Sequence, residues 1–202
     1  MTGYVSSVRN ACIVAVLIAG IATARAQTAS DFPREPDKSM AAAHESFLKG
    51  DLTKAAEHIA KAATDVRAQA KKVDKDAAKV LQKAGDDLDR LGADVKAGAV
   101  KSPDQLKQAF ARVDYAVATA WHATAEQEQK AGHDSSQALR GAASGLEGAA
   151  KWAGTKLDAG AQGAVDAVNT AGRGARFGVE AAGKALRSLG DGIADLGRKI
   201  AS

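Results

Sequence analysis

The strongest structural signal in this chain is the regular spacing of small apolar residues across residues 51–96, DLTKAAEHIAKAATDVRAQAKKVDKDAAKVLQKAGDDLDRLGADVK. The apolar positions alternate in steps of four and three, which is the spacing of a coiled-coil seam. The pattern predicts one helix, about 65–70 Å long, with a stutter near Gly85. One heptad position holds Ile59, Val66, Val73 and Val80, and the other holds Ala63, Ala70, Ala77 and Ala84.

Helices are also predicted on both sides of this segment. Upstream, a helix over residues 37–49 ends in the turn Lys49-Gly50-Asp51, where Asp51 caps the next helix. Downstream, Ser102-Pro103-Asp104 has the N-cap, the N1 proline and the first-turn acid of a helix start. That helix is predicted to end near Lys130. The next one starts after Asp134 or Ser135, with a pattern that permits continuation through Val165 and Val168, and the last spans residues 179–200.

The composition agrees with an all-α chain. The 202 residues include three prolines and 4% aromatic residues, and no segment alternates β-branched and polar residues. The helix lengths predict an elongated antiparallel helical bundle with coiled-coil packing. Residues 37–140 are expected to form its core, residues 141–202 to form Gly/Ala-rich amphipathic helices, and residues 27–36 to form a disordered leader.

The N-terminus has the organisation of a secretory signal peptide over residues 1–26. Arg9 supplies a basic region, residues 11–24 form an apolar run too short for a comfortable membrane span, and Ala24-Arg25-Ala26 is a small-x-small cleavage site. Cleavage after Ala26 predicts an exported protein, with the bacterial periplasm as its location. Cys12, the only cysteine, leaves with the signal peptide, so no disulfide is expected in the mature chain.

Charge and motifs exclude several classes of function. Removal of the signal peptide leaves 26 basic and 24 acidic residues, and no basic block is interleaved with aromatic residues, so nucleic acid is not an expected partner. The sequence contains no Ser-His-Asp arrangement and no Gly-rich phosphate loop. It therefore predicts a non-enzymatic protein without a cofactor. Such a protein would bind a protein partner, or itself, through helical seams in a scaffold, stress or chaperone-like role.

The C-terminal third differs in composition. Residues 141–202 hold 13 of the 20 glycines, and residues 163–173 and 174–184 form two units of an 11-residue repeat. This period keeps one face of a nearly straight helix apolar. The segment resembles late-embryogenesis-abundant proteins and lipid-surface proteins of the apolipoprotein or synuclein kind, which implies a helix ordered by a membrane or partner. The chain as a whole resembles exported bacterial alanine-rich helical-bundle proteins.

The last helix is a candidate surface for a membrane or a partner. Its apolar stripe would face acyl chains and its basic residues would face headgroups. The alternative is that the same stripe closes the bundle, and Asp191 and Asp195 dilute the basic face. The residues of this candidate surface are Leu186, Leu189, Ile193, Leu196, Ile200, Lys184, Arg187, Arg198 and Lys199.

Two histidines form a candidate metal site. His44 and His58 flank the first turn, so a helical hairpin can bring two imidazoles together to bind a metal or haem, with Met40 or Glu57 nearby. The alternative is a histidine packed at the edge of the seam with its polar side in water. No His-x-x-x-His or Glu-x-x-His pair, which would place ligands on one helix face, is present.

Two further groups have structural interpretations. Tyr115, Trp121 and His122 cluster in one helix and are interpreted as residues of a bundle boundary, with a ligand platform as the alternative. The run Asp86-Asp87-x-Asp89 lies mid-helix, where successive carboxylates point to different sides. It is predicted to be a solvated face and not a calcium loop.

Overall fold

The structure is a computed structural model that describes residues 35–171 and 177–201, and these residues form seven α-helices without a strand. The all-α helical bundle is thereby confirmed. None of the described helices is long and apolar enough to cross a membrane. The helices are α1 (Glu35–Leu48), α2 (Leu52–Gln69), α3 (Lys75–Lys96), α4 (Pro103–Lys130), α5 (Ser136–Trp152), α6 (Ala159–Ala171) and α7 (Val179–Ala201).

The single helix predicted over residues 51–96 is wrong, because the chain turns back at residues 70–74 and α2 packs antiparallel against α3. Asp74 caps α3 by accepting hydrogen bonds from the amides of Asp76 (2.9 Å) and Ala77 (3.1 Å). Its Oδ2 atom also accepts a hydrogen bond of 3.0 Å from the Thr124 hydroxyl of α4. This cap and the tertiary hydrogen bond define a helix start inside a segment whose apolar spacing suits a continuous helix.

An arginine joins the two helices of this hairpin. Arg67 Nη2 of α2 donates to Asp86 Oδ1 (2.7 Å) and to Asp89 Oδ2 (2.6 Å) of α3. Gly85 leaves room for the arginine, since a Cβ atom there would lie 2.8 Å from Arg67 Cγ. Asp86 and Asp89 of the acidic run remain exposed, as predicted for a solvated face, and they also pair with the neighbouring helix.

The predicted helix starts at Asp51 and Ser102 are confirmed. Asp51 accepts a hydrogen bond of 3.0 Å from the Lys54 amide, directly after the left-handed Gly50 (φ 77°). Ser102 forms a capping box with Gln105, whose amide donates to the serine hydroxyl at 3.3 Å. The helix that follows, α4, ends at Lys130 as predicted. These signals lie within four residues of the start that they define, so the sequence alone is enough to find them.

The longest described helix, α4, lies at the centre of the bundle and contacts α1, α3, α5 and α7. Glycines let α5 come close to it. A Cβ atom at Gly145 would lie 2.5 Å from the Ala118 backbone nitrogen, and Gly141 faces the Trp121 ring. At this contact the helix backbones themselves touch, which a larger residue at position 145 would prevent.

The helix that starts after Ser135 ends earlier than the pattern permits. Gly154 adopts a left-handed conformation (φ 65°) after α5, and Asp158 caps α6 by accepting from the Ala161 amide at 2.8 Å. Continuation through Val168 is therefore wrong. The expected domain boundary between residues 140 and 141 falls inside α5.

Glycines also explain how α7 packs antiparallel along α4. Gly183, Gly190 and Gly197 recur every seven residues, and added Cβ atoms would meet Gln129, His122 and Tyr115 of α4, which have the same spacing. The glycine-rich composition thus serves close helix packing. Residues 172–176, which belong to the repeat, lie outside the described residues, as does the signal peptide. Most of the expected leader also lies outside them, but α1 already begins at Glu35.

Candidate partner-binding groove

A groove runs between α3 and α4 on the surface of the bundle. On the α2 side of α3, the Ile59 side chain lies 3.5 Å from a Cβ position at Gly92, which is an ordinary van der Waals distance. On its α4 side the packing is looser and leaves a groove of about 610 Å³. The residues that line it are Val80, Lys83, Ala84, Asp87, Leu88, Arg90, Leu91, Asp94, Ala109, Arg112, Val113 and Ala116.

The floor of the groove is apolar and partly open to solvent. Leu88 and Val113 are buried beneath it, while Leu91 and Ala116 are half-buried on its walls. Val80 at one end is 38% exposed, which is unusual for a valine in a helix that packs on two neighbours. The groove therefore presents aliphatic surface that the described chain leaves uncovered.

Charged residues form a regular stripe along the α3 rim. Lys83, Asp87, Arg90 and Asp94 follow one another in steps of four, three and four residues, with alternating sign. Within the stripe, Lys83 Nζ lies 3.0 Å from Asp87 Oδ2, and Arg90 Nη1 lies 3.5 Å from Asp87 Oδ1. Exposed pairs of this kind contribute about 0–1 kcal/mol, so they can be exchanged for contacts with a partner at little cost.

The two candidate metal-binding histidines lie on α1 and α2. The His44 ring packs edge-on against Trp152 of α5, with 5.8 Å between ring centroids, and its Nε2 atom has no hydrogen-bond partner among the described residues. Burial, and then the positive charge of Lys107, lower the pKa of His44. His58 is half-buried on α2. In the described part of the chain no group of three or more His, Cys, Asp or Glu side chains is placed to hold a metal ion.

The apolar residues of the candidate membrane surface lie in the bundle core. Leu186, Leu189, Ile193 and Leu196 are buried, and Ile200 is half-buried against the same core. The basic residues Lys184, Arg187, Arg198 and Lys199 are exposed, and the last two pair with Asp195 at 3.2 Å and 2.7 Å. The stripe therefore closes the bundle in this structure, and contact with acyl chains would require α7 to leave it.

The aromatic cluster of α4 separates into three different contacts. Trp121 is buried, and its Nε1–H donates to Gln69 Oε1 of α2 at 2.8 Å. His122 Nε2 lies 3.0 Å from the Leu186 carbonyl oxygen of α7, an acceptor to which the protonated nitrogen donates. Tyr115 lies against Gly197. These contacts join α4 to its neighbours, as expected for residues of a bundle boundary.

The sequence analysis did not predict a close pair of carboxyl groups, of which Asp114 is buried and Asp37 is half-buried. Asp114 of α4 is 2% exposed, and its side chain lies beside that of Asp37 of α1. Burial raises the pKa of Asp114 well above its ordinary value, and the negative charge and hydrogen bond of Asp37 raise it further. The burial of Asp114 could have been predicted from the sequence, because this residue falls between Phe110 and Val117 on the apolar face of its helix.

Comparison with known proteins adds no relative: no family model, curated protein or solved structure matches this chain.

Proposed function

We propose that this protein is an exported, non-enzymatic helical protein that binds an amphipathic helix of a protein partner in the α3–α4 groove. The observation that carries the proposal is the exposed aliphatic surface that Val80, Leu91 and Ala116 present along a groove between two helices. A helix laid into such a groove buries its apolar face and keeps its polar face in water. Between Val80 and Asp94 the groove follows α3 for about 21 Å, which corresponds to roughly four helical turns of a partner.

The charged stripe indicates which partner helix fits. A helix lying antiparallel to α3 places its charges opposite the stripe in reverse order, so it must offer acid to Lys83 and Arg90 and base to Asp87 and Asp94. The charged stripe of α3 itself has the order of charges that an antiparallel partner helix must offer. In an antiparallel pair of α3 helices, Lys83 faces Asp94 and Asp87 faces Arg90 of the second copy. A protein that binds partner helices in this way would have a scaffold or chaperone-like role. The partner helix can also come from a second copy of the same chain.

Site-specific photo-crosslinking tests the groove. A photoreactive residue at Ala116, on the α4 wall, is expected to form a discrete adduct with a protein partner in the exported fraction of the native host. The same residue at Leu48, which is 59% exposed at the end of α1, is expected to form none. An adduct of twice the mass of the chain identifies a second copy as the partner.

A pair of surface substitutions provides the matched control. Val80→Asp places a charge at the open end of the apolar floor and should abolish the Ala116 adduct, whereas Leu48→Asp should leave it unchanged. Both valine and leucine are partly exposed, so neither substitution opens a core cavity. The proposal is wrong if Ala116 gives no adduct, or if Val80→Asp and Leu48→Asp affect the adduct equally.

Export is part of the same proposal and has its own test. The support for it is the order of basic region, apolar run and Ala24-Arg25-Ala26 in the first 26 residues. Protein recovered from the periplasmic fraction should begin at Gln27 when its N-terminus is sequenced. Protein that keeps Met1 and stays in the cytoplasmic fraction would contradict export.

A further inference from the structure

The order of charges on the α3 rim restricts which helix can lie in the α3–α4 groove. Lys83, Asp87, Arg90 and Asp94 line the groove along one face of α3 and span about 17 Å. The first three are joined by ion pairs through Asp87. Asp94 is exposed and forms no ion pair with any described residue. The stripe therefore ends in an acid that is available to a base from another molecule.

A second α3 helix matches this order of charges fully in only one antiparallel register. When Lys83 faces Asp94 of the second copy, Asp87 faces Arg90 of the second copy, and the two pairs share one midpoint along the helix. A two-fold axis through this midpoint repeats both pairs, so every charge of the stripe on both copies meets an opposite charge. A shift by one heptad in either direction keeps only half of these pairs.

A parallel arrangement of the two helices is unfavourable. In a parallel pair related by a two-fold axis each residue faces its own counterpart, so Lys83 would meet Lys83 and Asp94 would meet Asp94. Like charges placed opposite each other destabilise an interface. An offset that avoids this repulsion gives the two copies different contacts, and such an assembly does not close as a dimer. The stripe therefore favours the antiparallel dimer over the parallel one.

Aliphatic side chains beside the stripe provide the surface that such a contact buries. Val80 is 38% exposed and Leu91 is half-buried on α3, while the short side chains of Ala109 and Ala116 form the α4 wall. Exposed ion pairs contribute little to affinity. Burial of the aliphatic surface must therefore supply most of the binding free energy, whereas the charges select the partner and fix its register.

We propose that the partner in the groove is a second copy of this chain, bound as a two-fold symmetric dimer in which the two α3 helices lie antiparallel. The inference rests on the proposed function, because it names the occupant of the same groove. Across the interface Lys83 pairs with Asp94, and Asp87 pairs with Arg90. A helix of another protein would need a matching order of charges, which a second copy has by its own sequence.

Two opposite charge reversals test the dimer by sedimentation equilibrium of the purified protein. Lys83→Glu and Asp94→Lys each place like charges opposite each other twice, so each variant alone should dimerise about tenfold more weakly than the wild type. An equimolar mixture should dimerise as the wild type does, because the new acid of one copy faces the new base of the other and the unchanged residues still pair. Lys54→Glu, which changes an exposed lysine of α2, should leave dimerisation unaltered.

A second pair of variants follows the same logic. Arg90→Glu and Asp87→Lys should each weaken the dimer, and their mixture should restore it. All four substitutions lie on the surface stripe and open no core cavity, and this second pair serves if a variant of the first does not fold.

Three results would overturn the inference: a wild type that is monomeric at about 100 μM, where a micromolar Kd is visible, mixtures that dimerise no better than the single variants, or equal weakening by Lys54→Glu and Lys83→Glu. A monomeric wild type that still forms the Ala116 adduct with another exported protein would reject the second copy and leave the proposed function in place. Absence of any Ala116 adduct would reject the groove itself.

Discussion

At the scale of single residues, the ionisation of the buried Asp114 carboxyl group affects the stability of the bundle. Its folded pKa is raised, first by burial and then by the charge of Asp37, while Lys151 acts in the opposite direction. A raised pKa means that the folded state favours the protonated carboxyl group. This group's contribution to stability is therefore fully present below its unfolded pKa of about 3.9, and it is lost as pH rises through the folded pKa.

Asp114→Asn should consequently stabilise the protein at neutral and alkaline pH. The amide keeps the shape of the carboxyl group and carries no charge, so Tm at pH 7 should exceed that of the wild type by a few degrees, since 1 kcal/mol corresponds to about 2–4 °C for a chain of this length. At pH 4 the difference should shrink or change sign. Calorimetry across pH 4–9 measures this. A wild type whose Tm is independent of pH relative to the variant would show that Asp114 is not buried as described.

Two glycines provide a matched test of helix packing at single positions. Gly145→Ala should destabilise the protein by about 1–3 kcal/mol, because its Cβ meets the backbone of Ala118 and Asp114 and the helices must move apart. Gly163→Ala in α6 should stabilise it by about 0.5–1 kcal/mol, because nothing lies within 4 Å of the added atom and alanine favours the helix. Urea unfolding measures both. Equal effects at the two positions would contradict the close approach of α4 and α5.

At the scale of helices, local signals were predictable and distant contacts were not. The caps at Asp51 and Ser102 depend on neighbouring residues, so the sequence predicted them. The turn at residues 70–74 depends partly on Thr124, which is 50 residues away from Asp74 in the chain. The apolar spacing of residues 51–96 fits a long helix and an antiparallel hairpin equally, since both bury the same alanines.

The site was less predictable than the helices. A groove forms where two neighbouring helices diverge, and the sequence of α3 carries no mark of how closely α4 approaches it. For this reason the heptad spacing predicts a buried seam position for Val80, which the structure leaves exposed. The burial of Asp114, unlike the groove, could be predicted, because the sequence places this aspartate between Phe110 and Val117 on an apolar helix face.

The cap at Asp74 makes the hairpin testable. Partial burial acts to raise the pKa of Asp74, but the hydrogen bonds from the Ala77 and Asp76 amides and from Thr124 outweigh it and lower that pKa. The stabilising contribution is therefore present above the unfolded pKa of about 3.9, and it is lost as pH falls through the folded pKa. Asp74→Ala should cost about 1–2 kcal/mol at pH 7 and less at pH 3, by urea unfolding.

A control separates the cap from the tertiary contact. Thr124→Val keeps the hydrogen bonds from the Asp76 and Ala77 amides to Asp74 but removes the hydroxyl that contacts Asp74 and the Ala120 carbonyl oxygen, and it should cost about 1 kcal/mol. Higher helix content and unchanged stability in Asp74→Ala would instead support the continuous helix, because removal of a cap cannot strengthen a helix start that exists.

At the scale of the whole molecule, the helices divide into a closed side and an open one. On the closed side, the glycines of α7 meet α4 and the leucine stripe of α7 is buried. On the open side, α3 and α4 leave an aliphatic groove with a charged rim. Partner binding is proposed for the open side, whereas the sequence analysis expected a membrane or partner surface on the last helix, which lies on the closed side.

Cysteine labelling of the mature chain decides between these two sides most directly. Residues 27–202 contain no cysteine, so in a protein of these residues Val80→Cys in the groove, Leu189→Cys in the α7 stripe and Ala194→Cys on the exposed face of α7 each give a single thiol. With a maleimide, Val80→Cys and Ala194→Cys should react rapidly, and Leu189→Cys should stay protected with and without anionic liposomes. Rapid labelling of Leu189→Cys, or its exposure when liposomes are added, would show that α7 is the working surface and would contradict partner binding on the open side.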